Sequence, residues 1–268
     1  MSFSISGKTA IVTGGANGIG LAIGRHFVDK GANVMFADMD EKQLLHELGE
    51  NKEDSPQRYF AGDLREKLTQ ANLLSATIDA FDQVDILINA SRQIAPSDAL
   101  SAEDDAVEML LQQNLMAALR LSQTIAKRMI KQADKLDDDD GVIGAIINLS
   151  SIAARNTHPE LLAYSVSNAA LNQMTRSMAV SLAPNRIRVN AVAFGSVMSG
   201  SLQRTLRDNL EFRKEIEERT PLGRIASAHE LAETVQFLAS DSSDFMTGQV
   251  LTVDGGRSLL DPVTAPAH

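Results

Sequence analysis

A glycine-rich segment near the N-terminus constrains the fold more than any other feature of the chain. Residues 13–20 read Thr-Gly-Gly-Ala-Asn-Gly-Ile-Gly and separate a short apolar run at residues 9–13 from a helical pattern at residues 21–30. Glycines let the backbone turn tightly, and the N-terminus of the following helix favours an anionic group. Alone, such a turn is a weak signal, but between a strand and a helix it predicts dinucleotide binding. The predicted contact residues are Gly14, Asn17, Gly18, Ile19 and Gly20.

The alternation of short apolar runs and helical patterns continues along the chain. Further strands are predicted at residues 33–37, 59–61, 84–90, 142–149, 186–193 and 249–253. Further helices are predicted at residues 65–81, 102–133, 161–182, 201–219 and 228–238. Strands separated by helices predict a Rossmann-like, doubly wound parallel sheet with helices on both faces. The α/β chain has 268 residues and no linker or repeat, so we expect a single domain over residues 1–268.

Composition narrows the classes of partner. The net charge is −10 at pH 7 and there is no dense Lys/Arg tract, which argues against nucleic acid or an anionic membrane surface. The sequence has no cysteine, so disulfides and thiolate ligands are excluded, and we expect no metal site. The apolar run at residues 10–12 is too short for a signal peptide, so the expected location is cytoplasmic. Four consecutive aspartates, Asp137 to Asp140, favour a solvated loop over a cation site.

The residue at the end of the second predicted strand indicates which dinucleotide binds. Asp38 lies eighteen residues after Gly20. A carboxylate at this place accepts hydrogen bonds from the adenosine ribose hydroxyls and repels a 2′-phosphate. Neither Asn17 nor Met39 supplies a cation that would compensate this repulsion. The expected cofactor is therefore NAD(H) rather than NADP(H).

With these segments in place, the chain resembles the short-chain dehydrogenase/reductase family over essentially its whole length. The resemblance rests on the spacing Thr-Gly-x-x-x-Gly-Ile-Gly at residues 13–20 and on further matching segments. These are Asp63-Leu64, Asn89-Ala90, Asn114, Tyr164 and residues 148–151, 187–192, 221–224 and 253–256.

The resemblance implies roles for residues that follow the predicted strands. Asp63 would hold the adenine amino group beside the backbone of Leu64. Asn89, followed by Ala90, would stabilise the central strand next to the cofactor. Gly195, Val197 and Ser199 would bind the cofactor, and Val197 and Ser199 would face its nicotinamide carboxamide. Residues 195–219 would form a lid over the substrate.

The resemblance also implies a catalytic set, from which this chain departs at one residue. The family combines a serine, a tyrosine, a lysine four residues after the tyrosine, and an asparagine that completes a proton relay. Ser151 lies thirteen residues before Tyr164, and Asn114 lies on the preceding long helix, as the pattern requires. The lysine position holds Asn168, whose carboxamide could still hydrogen-bond the nicotinamide ribose.

The missing lysine matters for proton transfer. Hydride exchange between an alcohol carbon and nicotinamide needs an acid or base at the substrate oxygen, and a free tyrosine, with a pKa of about 10, is poorly ionised at pH 7. An ammonium at about 4 Å, at an effective dielectric constant near 20, contributes roughly 4 kcal/mol, or about three pKa units. Ketone reduction uses the neutral phenol, whereas alcohol oxidation needs the phenolate. We therefore expect a weak enzyme that favours reduction at neutral pH.

Two other places depart from the family pattern. After the fourth predicted strand, Ser91 stands where the family usually has glycine and is followed by Arg92, and Phe194 stands where the family usually has proline. We expect Ser91 and Arg92 near the nicotinamide and the substrate, and Phe194 to reshape the pocket. Arg92 could meet a substrate carboxylate, but a single loop arginine is more often a surface side chain, and we favour that interpretation.

Three functions stay open, in order of preference. The first is an NAD(H)-dependent oxidoreductase acting on a secondary alcohol or ketone, with Tyr164 as general acid/base. The second is a catalytically inactive NAD-binding scaffold or regulatory protein, and the third is a dehydratase or isomerase on the same fold. The apolar stripes at residues 102–133 and 161–182 exceed what one sheet face needs, and the resemblance implies that these helices pair in a homodimer or homotetramer.

Replacing Asn168 by lysine tests the electrostatic argument. Asn168→Lys should raise the rate of alcohol oxidation at pH 7 more than the rate of ketone reduction, because only oxidation needs the phenolate. Nicotinamide absorbance follows both rates with one substrate pair. An oxidation rate that does not rise with any substrate that is turned over would contradict the argument.

Overall fold

The computed structural model describes residues 3–101, 103–134 and 141–261. The predicted loop at Asp137 to Asp140 lies outside them. Within these residues the strands are β1 (Thr9–Thr13), β2 (Asn33–Asp38), β3 (Gln57–Ala61), β4 (Ile86–Asn89), β5 (Gly144–Ser151), β6 (Ile187–Phe194), β7 (Val197–Met198), β8 (Ala226–Ser227) and β9 (Val250–Val253). The α-helices are α1 (Gly18–Asp29), α2 (Glu41–Leu48), α3 (Lys67–Phe81), α4 (Ala106–Leu111), α5 (Ala117–Ala133), α6 (Leu162–Leu182), α7 (Gly200–Asp208), α8 (Leu210–Glu218) and α9 (Ala228–Ala239).

Seven of the strands form one sheet in the order β3-β2-β1-β4-β5-β6-β9, and every pairing in it is parallel. The chain builds outward from β1 to β3, then returns to the other side of β1 with β4. Ligands of such sheets bind outside the carboxyl ends of the strands where the order reverses. The predicted doubly wound Rossmann-like sheet is confirmed.

Helices cover both faces of this sheet. Val12 and Ile88 pack in one hydrophobic cluster, with α1 and α9, whereas their neighbours Ile11 and Leu87 pack in another, with α3, α5 and α6. Successive side chains of a strand point to opposite faces, so the two clusters lie on opposite sides of the sheet. No helix in the described ranges is long and apolar enough to cross a lipid bilayer.

The helix α2 is absent from the predicted elements. It begins after Asp40, whose side chain accepts a hydrogen bond from the backbone N–H of Gln43 at 3.0 Å. Of its eight residues only Leu44 is buried. A helix with one buried residue leaves almost no apolar pattern in the sequence, so capping rather than periodicity marks it.

Two predicted helices are divided in the structure. The predicted helix at residues 102–133 begins at Ala106 and contains a π-helical turn, Gln112–Met116, between α4 and α5. The predicted helix at residues 201–219 is broken at Asn209, whose φ of −139° is extended. The short strands β7 and β8 form a separate two-stranded sheet beside this region, and strands of two residues are too short to show a pattern.

Helix α1 approaches the sheet closely at Gly24. A Cβ atom on Gly24 would lie 2.1 Å from Cε1 and 2.6 Å from Cζ of Phe36, which is fully buried on β2. These distances are far below van der Waals contact, so this glycine sets the spacing between α1 and the sheet.

The substitution Gly24→Ala should lower the free energy of unfolding by about 1–3 kcal/mol, because the new methyl group overpacks a buried ring. Gly200→Ala is the matched control, since a Cβ at this first residue of α7 meets no atom within 4 Å. The control should be neutral or gain up to about 1 kcal/mol from helix propensity. Chemical denaturation measures both, and a Gly24→Ala variant as stable as the original protein would contradict this packing.

Candidate active site

The glycine turn lies at the carboxyl edge of the sheet, between β1 and α1. Gly14 and Gly18 have φ angles of +67° and +55°, which residues with a side chain rarely adopt. A Cβ on Gly20 would lie 2.2 Å from the carbonyl oxygen of Gly14, so the turn has no room for a side chain there. The nearest heavy atom to a Cβ on Gly18 is Ser199 Cβ, at 3.8 Å. The glycine turn and Ser199, which are two parts of the predicted cofactor site, therefore lie beside each other.

The carboxylate of Asp38 lies next to this turn. Its Oδ2 accepts a hydrogen bond from the backbone N–H of Ala16 at 3.1 Å, and its Oδ1 accepts one from Asp40 at 3.2 Å. The side chain is half-buried and keeps further lone pairs for ribose hydroxyls. Asn17 and Met39 beside it are exposed. A cradle that excludes side chains and an adjacent carboxylate fit a dinucleotide, which the turn and Asp38 would hold.

The carboxylate of Asp63, which is predicted to hold adenine, accepts hydrogen bonds from Arg65, a residue to which the sequence motifs assigned no role. Arg65 donates to it from Nη2, at 2.6 Å, and from Nε, at 3.0 Å to each oxygen. These bonds from Arg65 lower the pKa of the Asp63 carboxyl below its usual value. Leu64 is half-buried, and its carbonyl accepts a hydrogen bond from Gln70 Nε2 at 2.6 Å. Asp63 Oδ1 also accepts the backbone N–H of Arg65 at 3.0 Å, so these four bonds fill the roughly four lone-pair sites of the carboxylate, and an adenine amino group would have to replace one of them.

The hydroxyl of Thr13 connects the glycine turn to the loop that follows β4. Its Oγ1 accepts hydrogen bonds from the backbone N–H groups of Ala90 and Ser91, both at 3.0 Å. A Cβ on Gly14 would meet the backbone of the same two residues at 3.0 Å. The turn and the loop that contains Ala90 are therefore in direct contact.

Asn89 belongs to a buried polar network that crosses the centre of the sheet. Its Nδ2 donates to Ser122 Oγ at 3.0 Å and to Asn148 Oδ1 at 2.8 Å. Asn148 in turn donates to Thr175 Oγ1 at 2.9 Å. The network links β4 and β5 to α5 and α6, and satisfied buried hydrogen bonds of this kind rigidify a core.

Asn114 lies in the π-helical turn and fixes the loop after β4. Its Oδ1 accepts a hydrogen bond from the backbone N–H of Gln93 at 2.8 Å, and its Nδ2 donates to the carbonyl of the same residue at 2.9 Å. Nδ2 also lies 3.2 Å from Ser167 Oγ on α6. The loop is thus held by Thr13 on one side of Arg92 and by Asn114 on the other.

Arg92 contacts the phenol of Tyr164. Its Nη1 donates to Tyr164 Oη at 2.8 Å, and its guanidinium carbon lies 4.1 Å from the centre of the Phe194 ring. Arg92 is half-buried and Tyr164 is 3% exposed. The interpretation of Arg92 as a surface side chain is therefore wrong, because the guanidinium binds the hydroxyl and stacks on the ring instead of extending into water.

Ser151 and Asn168, the other two members of the predicted catalytic set, each make a local hydrogen bond. Ser151, at the end of β5, accepts a hydrogen bond from the backbone N–H of Ala153 at 3.1 Å, which leaves its own O–H to donate. Asn168 is buried one turn after Tyr164 on α6, and its Nδ2 donates to the Tyr164 carbonyl at 2.8 Å. Asn168 therefore lies where the sequence places it, but its amide group bonds to its own helix.

The predicted lid leaves the sheet beside the glycine turn. Gly195 donates a backbone hydrogen bond to Val253 at 3.1 Å, and Val197 is buried where β7 pairs with β8. Ser199 caps α7 by accepting a hydrogen bond from the backbone N–H of Leu202 at 3.3 Å. The helices α7 and α8 form the connection between β7 and β8.

Comparison with known proteins gives the family. A family model described as enoyl-(acyl carrier protein) reductase matches residues 14–258. The chain is 32% identical to an (S)-acetoin-forming diacetyl reductase from Staphylococcus epidermidis, over 93% of this chain and 98% of the relative. It is 30% identical to 2,3-dihydroxy-2,3-dihydro-p-cumate dehydrogenase from Pseudomonas putida, over 96% of each chain. This chain belongs to the short-chain dehydrogenase/reductase family.

The family resemblance inferred from the sequence motifs is confirmed, and the fold agrees with it. A crystal structure of a candidate gluconate dehydrogenase from Agrobacterium tumefaciens matches with a TM-score of 0.87 and 26% identity. The match covers 97% of this chain and all of the other. As a short-chain dehydrogenase/reductase, the protein is related along its length to enzymes named as reductases and dehydrogenases.

The sequence motifs did not reveal how Arg92 is used in this member of the family. A signal was present, because Ser91, which precedes Arg92, and Phe194 both depart from the family pattern, and they follow or end strands that flank β5. Residues at these strand ends share one edge of a parallel sheet, so a cation and a ring could have been paired. Similarly, Arg65 lies only two residues after Asp63, and this spacing could have indicated that their side chains pair.

The clamp on the loop can be tested by hydrogen exchange. Asn114→Ala removes two hydrogen bonds to Gln93 and should speed exchange of the Gln93 amide at least about fivefold, the equivalent of about 1 kcal/mol. Gln113→Ala is the matched control, because Gln113 contacts Ser91 Oγ, at 3.3 Å, rather than Gln93. Equal exchange of the Gln93 amide in both variants would show that Asn114 does not hold the loop.

Proposed function

We propose that the protein is an NAD(H)-dependent oxidoreductase that acts on a secondary alcohol or ketone, with Tyr164 as general acid/base. One observation carries the proposal. Thr13, which leads into the glycine turn, binds the backbone of Ala90 and Ser91, and the next residue, Arg92, donates to Tyr164 Oη. Three consecutive residues thus connect the proposed cofactor turn to the proposed acid/base.

The choice of NAD(H) rests on Asp38. Its carboxylate lies beside the turn and accepts backbone hydrogen bonds from Ala16 and Asp40. A ribose 2′-hydroxyl can donate to the remaining lone pairs, whereas a 2′-phosphate would be repelled. The partly exposed carboxylate favours the cofactor without the phosphate.

In the proposed reduction, the cofactor and three side chains have separate roles. NADH, when bound, supplies the hydride that reduces the carbonyl carbon. Tyr164 gives the proton of its hydroxyl to the carbonyl oxygen, so the ketone becomes a secondary alcohol and the phenol becomes a phenolate, which regains a proton from solvent. The O–H of Ser151 donates a hydrogen bond to the same substrate oxygen. The guanidinium of Arg92 donates to Tyr164 Oη, so the phenol proton points away from Arg92.

A second candidate is an NAD-binding protein without turnover. The observation that favours it is Asn168, which carries no charge and donates one of its two N–H groups to the carbonyl of Tyr164. A dehydratase or isomerase, in which Tyr164 moves protons only, is the third. Calorimetry with NADH and NADPH, followed by a substrate screen, separates these functions.

Tyr164 is also among the residues expected to contact the cofactor, so the proposed function predicts that Tyr164→Phe lowers kcat by at least about a hundredfold, the usual contribution of a general acid or base, and changes the affinity for NADH far less. Tyr59→Phe is the matched control, because Tyr59 is the other tyrosine of the chain and lies on β3. The screen should include a vicinal diketone, a cyclic dihydrodiol and a sugar acid, the substrate types suggested by the names of the related proteins. NADH binding without turnover of any of these, at neutral and alkaline pH, would favour the scaffold.

A further inference from the structure

Arg92 brings a permanent positive charge to the phenol of Tyr164. Its Nη1 lies 2.8 Å from Tyr164 Oη, and a guanidinium stays protonated in proteins. A hydrogen bond from a cation stabilises a phenolate more than a neutral phenol. Tyr164 is only 3% exposed, so little water screens this charge from the phenol.

The position of this charge is fixed from three directions. The guanidinium stacks on Phe194, 4.1 Å from the ring centre, a geometry that stabilises a cation and orients its plane. The backbone before Arg92 is held by Thr13 through Ser91, and the backbone after it is held by Asn114 through Gln93. A loop arginine that is clamped on both sides and stacked on a ring loses little further entropy when it holds the phenol.

No acidic group competes for this guanidinium in the part of the chain that the structure describes, because none of the ion pairs found there includes Arg92. The charged side chains on the segments packed around Tyr164 are Glu103, Asp104, Asp105, Glu108, Arg155, His158, Glu160 and Arg176. All but Asp104 are exposed, and Asp104 accepts backbone hydrogen bonds from Asp98 and Ala106. On β6, Arg188 donates to the carbonyl groups of Leu238 and Ser240 instead.

We propose that Arg92 is a positioning residue that supplies, from the loop after β4, the positive charge that Asn168 does not supply. It keeps Tyr164 competent for alcohol oxidation at neutral pH, where the phenolate must take the hydroxyl proton of the alcohol. The inference rests on the proposed role of Tyr164 as acid/base. In this arrangement, Arg92 supplies the charge from the loop after β4, and the ring of Phe194 holds its guanidinium. Asn168 is the neutral side chain on α6.

The ionisation of Tyr164 can be measured without cofactor or substrate, because the chain has two tyrosines and no tryptophan. In a Tyr59→Phe background, the near-ultraviolet absorbance of tyrosinate reports on Tyr164 alone. Arg92→Met should move the midpoint of this ionisation to higher pH by about one to two units, the strength of a hydrogen bond to a charged group. Arg92→Lys keeps a charge and should shift it less. Arg155→Met, at an exposed arginine in the loop before α6, is the matched control and should leave it unchanged.

A second neutral variant separates charge from hydrogen bonding. Arg92→Gln keeps a donor without a charge, suits the half-buried polar site, and should shift the midpoint upward as Arg92→Met does. Circular dichroism confirms which variants are folded. An unchanged midpoint in the folded neutral variants overturns the inference. An upward shift in a protein that turns over no substrate supports the charge that Arg92 contributes to the phenol and contradicts the proposed function.

Discussion

The hydroxyl of Thr13 fixes the geometry on which the whole site depends. Strands β1 and β4 are neighbours in the sheet, with Val12 opposite Ile88, so the residues that follow them leave the sheet side by side. By accepting hydrogen bonds from Ala90 and Ser91, Thr13 binds the loop after β4 to the start of the glycine turn. Because Asn114 holds the next part of the loop, Arg92 has little freedom except in its side chain, which reaches the phenol of Tyr164.

The large features of the fold followed from the sequence because they depend on local patterns. Alternating apolar runs and helical periodicity give a parallel sheet with helices on both faces, and the glycine turn marks where its first strand ends. Gly18 and Asp38 were predictable for a similar reason, since a backbone turn and a residue at a strand end are properties of one short segment. The spacing of Ser151 and Tyr164 likewise identified the phenol at the edge of the sheet.

The contacts that define the site could not be predicted from such local patterns. Arg92 and Tyr164 are 72 residues apart, and Thr13 and Ser91 are 78 apart, so no local periodicity relates them. The sequence places each residue at the edge of the sheet but not its side-chain partner. The helix α2 and the π-helical turn at Gln112–Met116 were missed for a different reason, because one has a single buried residue and the other changes the hydrogen-bonding of a helix without changing its apolar pattern.

The contact between Arg92 and Tyr164 changes the interpretation of Asn168. Taken alone, it predicts a site without a cation, whereas the structure has a cation on the phenol that reaches it from the loop after β4. If the two positions can supply the same charge, a lysine at 168 should compensate for the loss of Arg92. The most direct measurement is the tyrosinate titration of the double variant Arg92→Met/Asn168→Lys, compared with Arg92→Met, both in the Tyr59→Phe background. The account predicts that the midpoint of Tyr164 ionisation returns to lower pH in the double variant, and a midpoint that stays where Arg92→Met alone puts it would contradict the account.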